Sequence, residues 1–124
     1  RITTDVYVMG ASPDHIIPWQ SCYNGARRFG GDTTFVRSNS GHIQAQVNPP
    51  GNPKASYSIA TELPEEPDKW LEGSERVAGT WWDHWLDWLG SRSGRKVRPR
   101  SRLGSATHPP LVDAPGTYVL EPAP

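Results

Sequence analysis

The sequence predicts an α/β fold with parallel strands, and three observations carry that prediction. Two short apolar runs, 5–11 (DVYVMGA) and 34–36 (TFV), each break into Gly, Ser, Asn or Pro residues of the kind that end a strand. Between them, 18–29 sets Trp19, Cys22, Tyr23, Ala26 and Phe29 at spacings of three and four, the period of a helix with one apolar face. A strand, a helix and a second strand in that order form a crossover, so the strands are expected to be parallel. Both following loops should then emerge at the same edge of the sheet.

Each element has its own signals. The first strand is β-branched and aromatic, reaches Gly10, and gives way to Ser12-Pro13-Asp14, so Asp14 sits on a loop. Pro18 suits a first helical turn, and Gly30-Gly31 stops the helix. The second strand breaks at Ser38-Asn39-Ser40-Gly41, and His42 lies just past the glycine. Segment 48–53 (NPPGNP) lacks the amides that a helix or a central strand needs, and reads as a rigid surface turn. Ser56 to Ala60 is expected to be a short edge strand or an extended segment.

From Pro64 to Gly90 the spacing predicts helices. Pro67 and Asp68 open one, with Trp70, Leu71, Ser74, Val77 and Ala78 at helical intervals. After Gly79, Thr80-x-x-Asp83 resembles a capping box for a second helix, Trp81 to Leu89. Five tryptophans fall in this region, and Trp81, Trp85, Trp88 and Leu89 share a face. So wide an apolar surface needs a cover, and the sheet of the same domain is expected to supply it in preference to a lipid or polymer. Arg92, Arg95, Lys96, Arg98, Arg100 and Arg102 follow without an acid and read as a solvated linker rather than a phosphate or CoA site. The rest is proline-rich and extended, with Thr117 to Leu120 able to lie along a surface. The expected organisation is a core part at 1–62 carrying the acid and histidine loops, a Trp-rich helical segment at 63–91, and a basic, proline-rich tail at 92–124.

The 124 residues suffice for one domain with a modest core. Thirteen basic and thirteen acidic residues balance, giving no overall attraction to nucleic acid or an anionic membrane. One cysteine excludes an internal disulfide, and no apolar run approaches the roughly 20 residues of a membrane span. Two parallel strands alone would leave edges and an apolar face uncovered, so the sequence is expected to be the C-terminal piece of a longer protein.

Asp14 and His42 are the candidate catalytic residues. Imidazole titrates near neutrality, and a loop held by a strand fixes its direction without burying it; the alternative is a turn histidine that bonds only backbone. Acid then histidine are also the last two members of the nucleophile, acid, histidine order of α/β-hydrolases. Cys22 does not fit the first place. It lies mid-helix between Gln20-Ser21 and Tyr23-Asn24, without the glycine-flanked elbow that presents a nucleophile. The nucleophile is therefore expected upstream. His15 is expected to point away from the site, His84 and His108 have no evident partner, and no metal-ligand spacing occurs.

Four motifs, DHIIPWQSCY (14–23), FGG (29–31), SNSGHIQ (38–44) and NPPGNPK (48–54), resemble the C-terminal third of polyhydroxyalkanoate synthases. WLEG (70–73), Trp81-Trp82, His84-Trp85 and PGTYV (115–119) extend the resemblance over nearly the whole chain. It implies an α/β-hydrolase-like catalytic domain, of which this is the C-terminal part, that polymerises (R)-3-hydroxyacyl-CoA into polyester and releases CoA. The family's acid falls on Asp14 and its histidine on His42, while its nucleophilic cysteine has no counterpart here. The histidine is expected to activate that cysteine, and the aspartate to assist attack by the hydroxyl end of the growing chain. The same likeness implies acyl-CoA as substrate with no cofactor, the growing polyester and the granule surface as partners, a homodimer in the full-length protein, and a cytoplasmic location at granules. The wording WQSCY and SGHIQ is similar to the medium-chain branch. This chain alone is expected to be inactive. The rivals are an esterase or depolymerase using Asp14 and His42 to deliver water, and a non-catalytic granule-binding or partner-binding module built on the tryptophan helices.

Overall fold

A computed structural model describes residues 2–122. The chain divides into two compact units, Arg1–Ser93 and Gly94–Pro124. The first holds β1 (Val6–Ala11), α1 (Trp19–Ala26), β2 (Thr33–Ser38), β3 (Ser56–Ile59), α2 (Pro67–Glu72), β4 (Glu75–Ala78) and α3 (Trp81–Arg92). Its four strands form one mixed sheet in the order β1-β2-β3-β4.

The expected crossover is present. β1 and β2 pair in parallel from Val6↔Thr33 to Ala11↔Ser38, with α1 between them in sequence. Their C-terminal ends therefore lie side by side, and the two loops that follow start from neighbouring points. Gly10 allows α1 to lie close on β1: a Cβ there would meet Phe35 Cζ at 3.1 Å and Trp19 Cβ at 3.2 Å.

Two expectations need correction. Ser56–Ile59 is an interior strand, not an edge, because β4 pairs antiparallel with it through Tyr57↔Val77 while β2 holds its other side. Within 63–91, the helical spacing of Ser74, Val77 and Ala78 is coincidental. The short helix α2 ends at Gly73, and Glu75–Ala78 turn to satisfy the free hydrogen-bonding edge of β3. Gly79, at φ +98°, then makes a turn that other residues rarely adopt, and Thr80 caps α3 by accepting from the Trp82 amide at 3.3 Å.

The tryptophans do not form one patch, because alternate strand residues face opposite sides of the sheet. On one side Trp19, Tyr23 and Ala26 of α1 close over Phe35 and Trp70. The Phe35 and Trp70 rings lie 4.9 Å apart and Tyr23 and Phe35 5.1 Å, both edge to face, so pairing adds about 0.5–1.5 kcal/mol each to the burial itself. Tyr23 Oη donates to the Pro64 carbonyl at 2.6 Å, which fixes the approach to α2. On the other side Tyr7 meets Trp81 at 6.0 Å and Trp88 at 5.6 Å, and its hydroxyl lies 2.9 Å from His84 Nδ1. The sheet thus covers the inner face of α3, as expected, although no residue of that helix is fully buried and Leu86 remains 53% exposed.

Among its described residues the second unit has little regular structure: a single 3-10 turn at Tyr118–Leu120. Arg95, Lys96, Arg98, Arg100 and Arg102 are all exposed there. Among the described residues no helix is long and apolar enough to cross a membrane.

Candidate active site

The loop after β1 carries Asp14. Its backbone folds back, with the Asp14 amide donating to the Ala11 carbonyl at 3.3 Å. The carboxylate then accepts at Oδ1 from the amides of Ile16 at 2.8 Å and Ile17 at 3.1 Å. These bonds fix the side chain and leave Oδ2 to face away from its own loop.

The loop after β2 carries His42 into a single helical turn. Ala45 N–H donates to the Gly41 carbonyl at 2.8 Å, and Val47 N–H to that of Ile43 at 3.2 Å. Because β1 and β2 are parallel neighbours, this turn rises beside the Asp14 loop. His42 Nδ1 lies 2.7 Å from Asp14 Oδ2, across a sequence separation of 28 residues.

The electrostatics assign the proton. The hydrogen bond from His42, followed by those from the Ile17 and Ile16 amides, brings the Asp14 carboxyl down from 3.8 to about 2, against an opposing desolvation effect. Asp14 is therefore a carboxylate near neutrality and can only accept, so His42 Nδ1 carries the hydrogen. That leaves Nε2 as the basic nitrogen, free of any hydrogen bond among the described residues. The Asp14 side chain is 7% exposed and the imidazole 35%, so the pair has one sheltered end and one reachable end. A carboxylate-oriented imidazole of this kind can take a proton from a hydroxyl or thiol and return it to a leaving group.

Cys22 lies on α1, half-buried, and packs against the aromatic core. Burial and the Asp14 charge both raise its thiol above the ordinary value, the reverse of what activates a nucleophile. His15 is exposed and next to Asp14 in sequence, but only His42 bonds that carboxylate through a ring. His84 does have a partner, Tyr7, which sequence spacing did not disclose because 77 residues separate them. His108 bonds Thr107 at 3.1 Å in the second unit. No group of His, Cys, Asp or Glu among the described residues is arranged to hold a metal ion.

Two supports of the site were not evident in the sequence. Arg37, at the end of β2, stacks its guanidinium 4.9 Å from the Trp19 ring and donates to Ser12 Oγ, tying the Asp14 loop to the sheet. The start of α3 donates side-chain hydrogen bonds to the His42 turn. Around the pair, Ile16 and Ile17 on one loop and Ile43 and Val47 on the other are exposed, giving an apolar rim. A cleft of about 770 Å3 lies elsewhere: it opens by Thr33 and Thr34 at the start of β2, with Glu75, His84, Asp87 and Arg92.

The sequence matches no family model. It is 50% identical over 120 residues to poly(3-hydroxyalkanoate) polymerase 2 of Ectopseudomonas oleovorans, covering 97% of this chain and 21% of that protein. With polymerase 1 of the same organism it shares 46% over 121 residues, 98% of this chain and 22% of the relative. The poly(3-hydroxyalkanoate) polymerase subunit PhaC of Cupriavidus necator is 36% identical over 118 residues, 95% of this chain and 20% of its own length. The chain thus spans about a fifth of the length of the curated relatives it matches. This identity over nearly all of its residues makes the chain a homologue of one segment, about a fifth, of the poly(3-hydroxyalkanoate) polymerases.

Proposed function

We propose that this chain supplies the acid and the base of a polyester synthase that polymerises (R)-3-hydroxyacyl-CoA and releases CoA. The observation that supports this reading is the 2.7 Å pairing of Asp14 Oδ2 with His42 Nδ1 at the C-terminal ends of two parallel strands. Catalytic groups of open α/β sheets gather at such an edge, and the reading includes an α/β-hydrolase-like parent fold. The nucleophile is a cysteine from another segment of the full-length protein.

The chemistry balances around one proton. His42 Nε2 takes the proton of the cysteine thiol, and the sulfur attacks the thioester carbonyl of the acyl-CoA. The C–S bond to CoA breaks, the leaving thiolate receives the proton from the imidazolium, and the acyl group remains on the cysteine. The terminal hydroxyl of the growing chain then attacks that acyl group. Its proton passes by way of His42 to the departing cysteine sulfur as the new ester forms. Asp14 holds the imidazole in the required tautomer and stabilises its cation, and assists the attack by the hydroxyl. The apolar rim of Ile16, Ile17, Ile43 and Val47 suits an acyl chain and disfavours the water that would hydrolyse the intermediate. Acyl-CoA is substrate rather than cofactor. The working protein is a homodimer at cytoplasmic polyester granules.

Stopped-flow release of CoA by the full-length protein tests this. His42→Ala should abolish the first burst. A full burst from that variant would overturn the assignment.

A further inference from the structure

We propose that Thr80, the cap of α3, and Trp81 and Trp82, its first two residues, are positioning residues for His42. The inference rests on the function proposed above. Each donates a side-chain hydrogen bond to the backbone of the segment that carries His42: Trp81 Nε1 to the Ala45 carbonyl at 2.8 Å, Trp82 Nε1 to Gln46 at 3.1 Å, and Thr80 Oγ1 to Asn48 at 2.6 Å. Ala45, Asn48 and Thr80 are buried, at 0%, 1% and 4% exposure, so water cannot readily replace two of these bonds.

The donors are suited to holding a direction. An indole N–H only donates, and the ring turns about two bonds, so little freedom is lost in aiming it. The Trp81 ring is fixed in turn by stacking on Tyr7 of β1, and α3 is held to the sheet by His84 on Tyr7 and by Arg92 on Asp5 at 2.9 Å. The His42 turn therefore has two anchors on one frame. Asp14, from the loop after β1, holds the ring at Nδ1, and α3, stacked on β1, holds the backbone beneath it. With the backbone anchor gone, Asp14 would still bind the ring, but a shifting turn would swing Nε2 away from the thiol it must deprotonate.

The test uses the full-length protein and a medium-chain (R)-3-hydroxyacyl-CoA, with rapid mixing to follow the first burst of CoA release. Trp81→Phe/Trp82→Phe keeps aromatic rings against Tyr7 and removes both N–H donors. It should burst at wild-type amplitude but about 10- to 100-fold more slowly, with KM little changed, as misplacement of a reacting group predicts. Trp85→Phe, which alters a ring packed 6.1 Å from Trp81 on the same helix, should burst as wild type. Trp82→Phe alone, at a half-buried ring, gives a smaller slowing in the same direction and serves if the double variant does not accumulate.

A wild-type burst rate in the double variant would overturn the inference while leaving the proposed function standing. So would a loss confined to burst amplitude, which marks an unfolded fraction rather than a misaimed base. A full burst from His42→Ala would remove the function itself, and this inference with it.

Discussion

Asp14 divides its carboxylate between two tasks, Oδ1 binding its own loop through the Ile16 and Ile17 amides and Oδ2 reaching His42 Nδ1 at 2.7 Å. The division gives stability a pH dependence with a definite sign. A carboxyl that titrates near 3.8 when unfolded and at about 2 when folded adds stability at pH above its unfolded value, and that stability is lost as pH falls through about 2. The urea midpoint of wild type should therefore fall more steeply between about pH 4 and pH 2 than that of Asp14→Asn. Parallel curves for the two proteins would show that the bonds to Asp14 do not favour its ionised form.

The same contact predicts how Asp14→Asn acts in turnover. Family resemblance alone assigns the aspartate to chain growth, so that acylation would survive its loss. The 2.7 Å bond to Nδ1 adds an orienting role, because an amide can offer N–H to the ring and stabilise the wrong tautomer. First-burst acylation by Asp14→Asn should slow by about 10^4-fold, the loss seen when the orienting carboxylate of a catalytic triad becomes an amide. Steady-state chain growth should fall at least as far. A burst at the wild-type rate would confine Asp14 to elongation.

How far this site can be read from sequence depends on what brought its parts together. Asp14 and His42 were legible because a β-α-β crossover makes their loops neighbours by topology, and apolar spacing reveals the crossover. β4 was not legible. Glu75–Ala78 has no strong pattern of its own and becomes a strand because β3 offers unpaired backbone groups, a fact of the assembled sheet. Nor were the bonds from Trp81 and Trp82 to the His42 turn, since 36 residues separate each pair and a tryptophan on a helix reads first as apolar mass. Nor does spacing within a helix disclose that Trp70 faces α1, on the opposite side of the sheet from the α3 tryptophans.

Cys22 gives a prediction with the opposite sign to that of a nucleophile. Its thiol is raised by burial and by the nearby Asp14 charge, and it packs against the aromatic core. At neutral pH iodoacetamide should modify it more slowly than free cysteine, because the thiolate is the reacting form. Cys22→Ala in the full-length protein should retain its burst and its turnover. Loss of the burst with folding intact would place Cys22 in the chemistry.

Trp70 is 1% exposed at the centre of the aromatic core, so Trp70→Ala should destabilise the fold by about 3–5 kcal/mol, measured by urea unfolding. Trp85→Ala, on half-buried α3, should cost clearly less. Trp70→Phe separates two contributions within the first figure. The indole Nε1 of Trp70 is buried and has no hydrogen-bond partner among the described residues, so phenylalanine gives up ring volume but no hydrogen bond, and relieves a stranded donor. Its cost should be under half that of alanine. If phenylalanine instead proves as damaging as alanine, the N–H has a partner, such as an ordered water, and Trp70 holds the core by more than its packing.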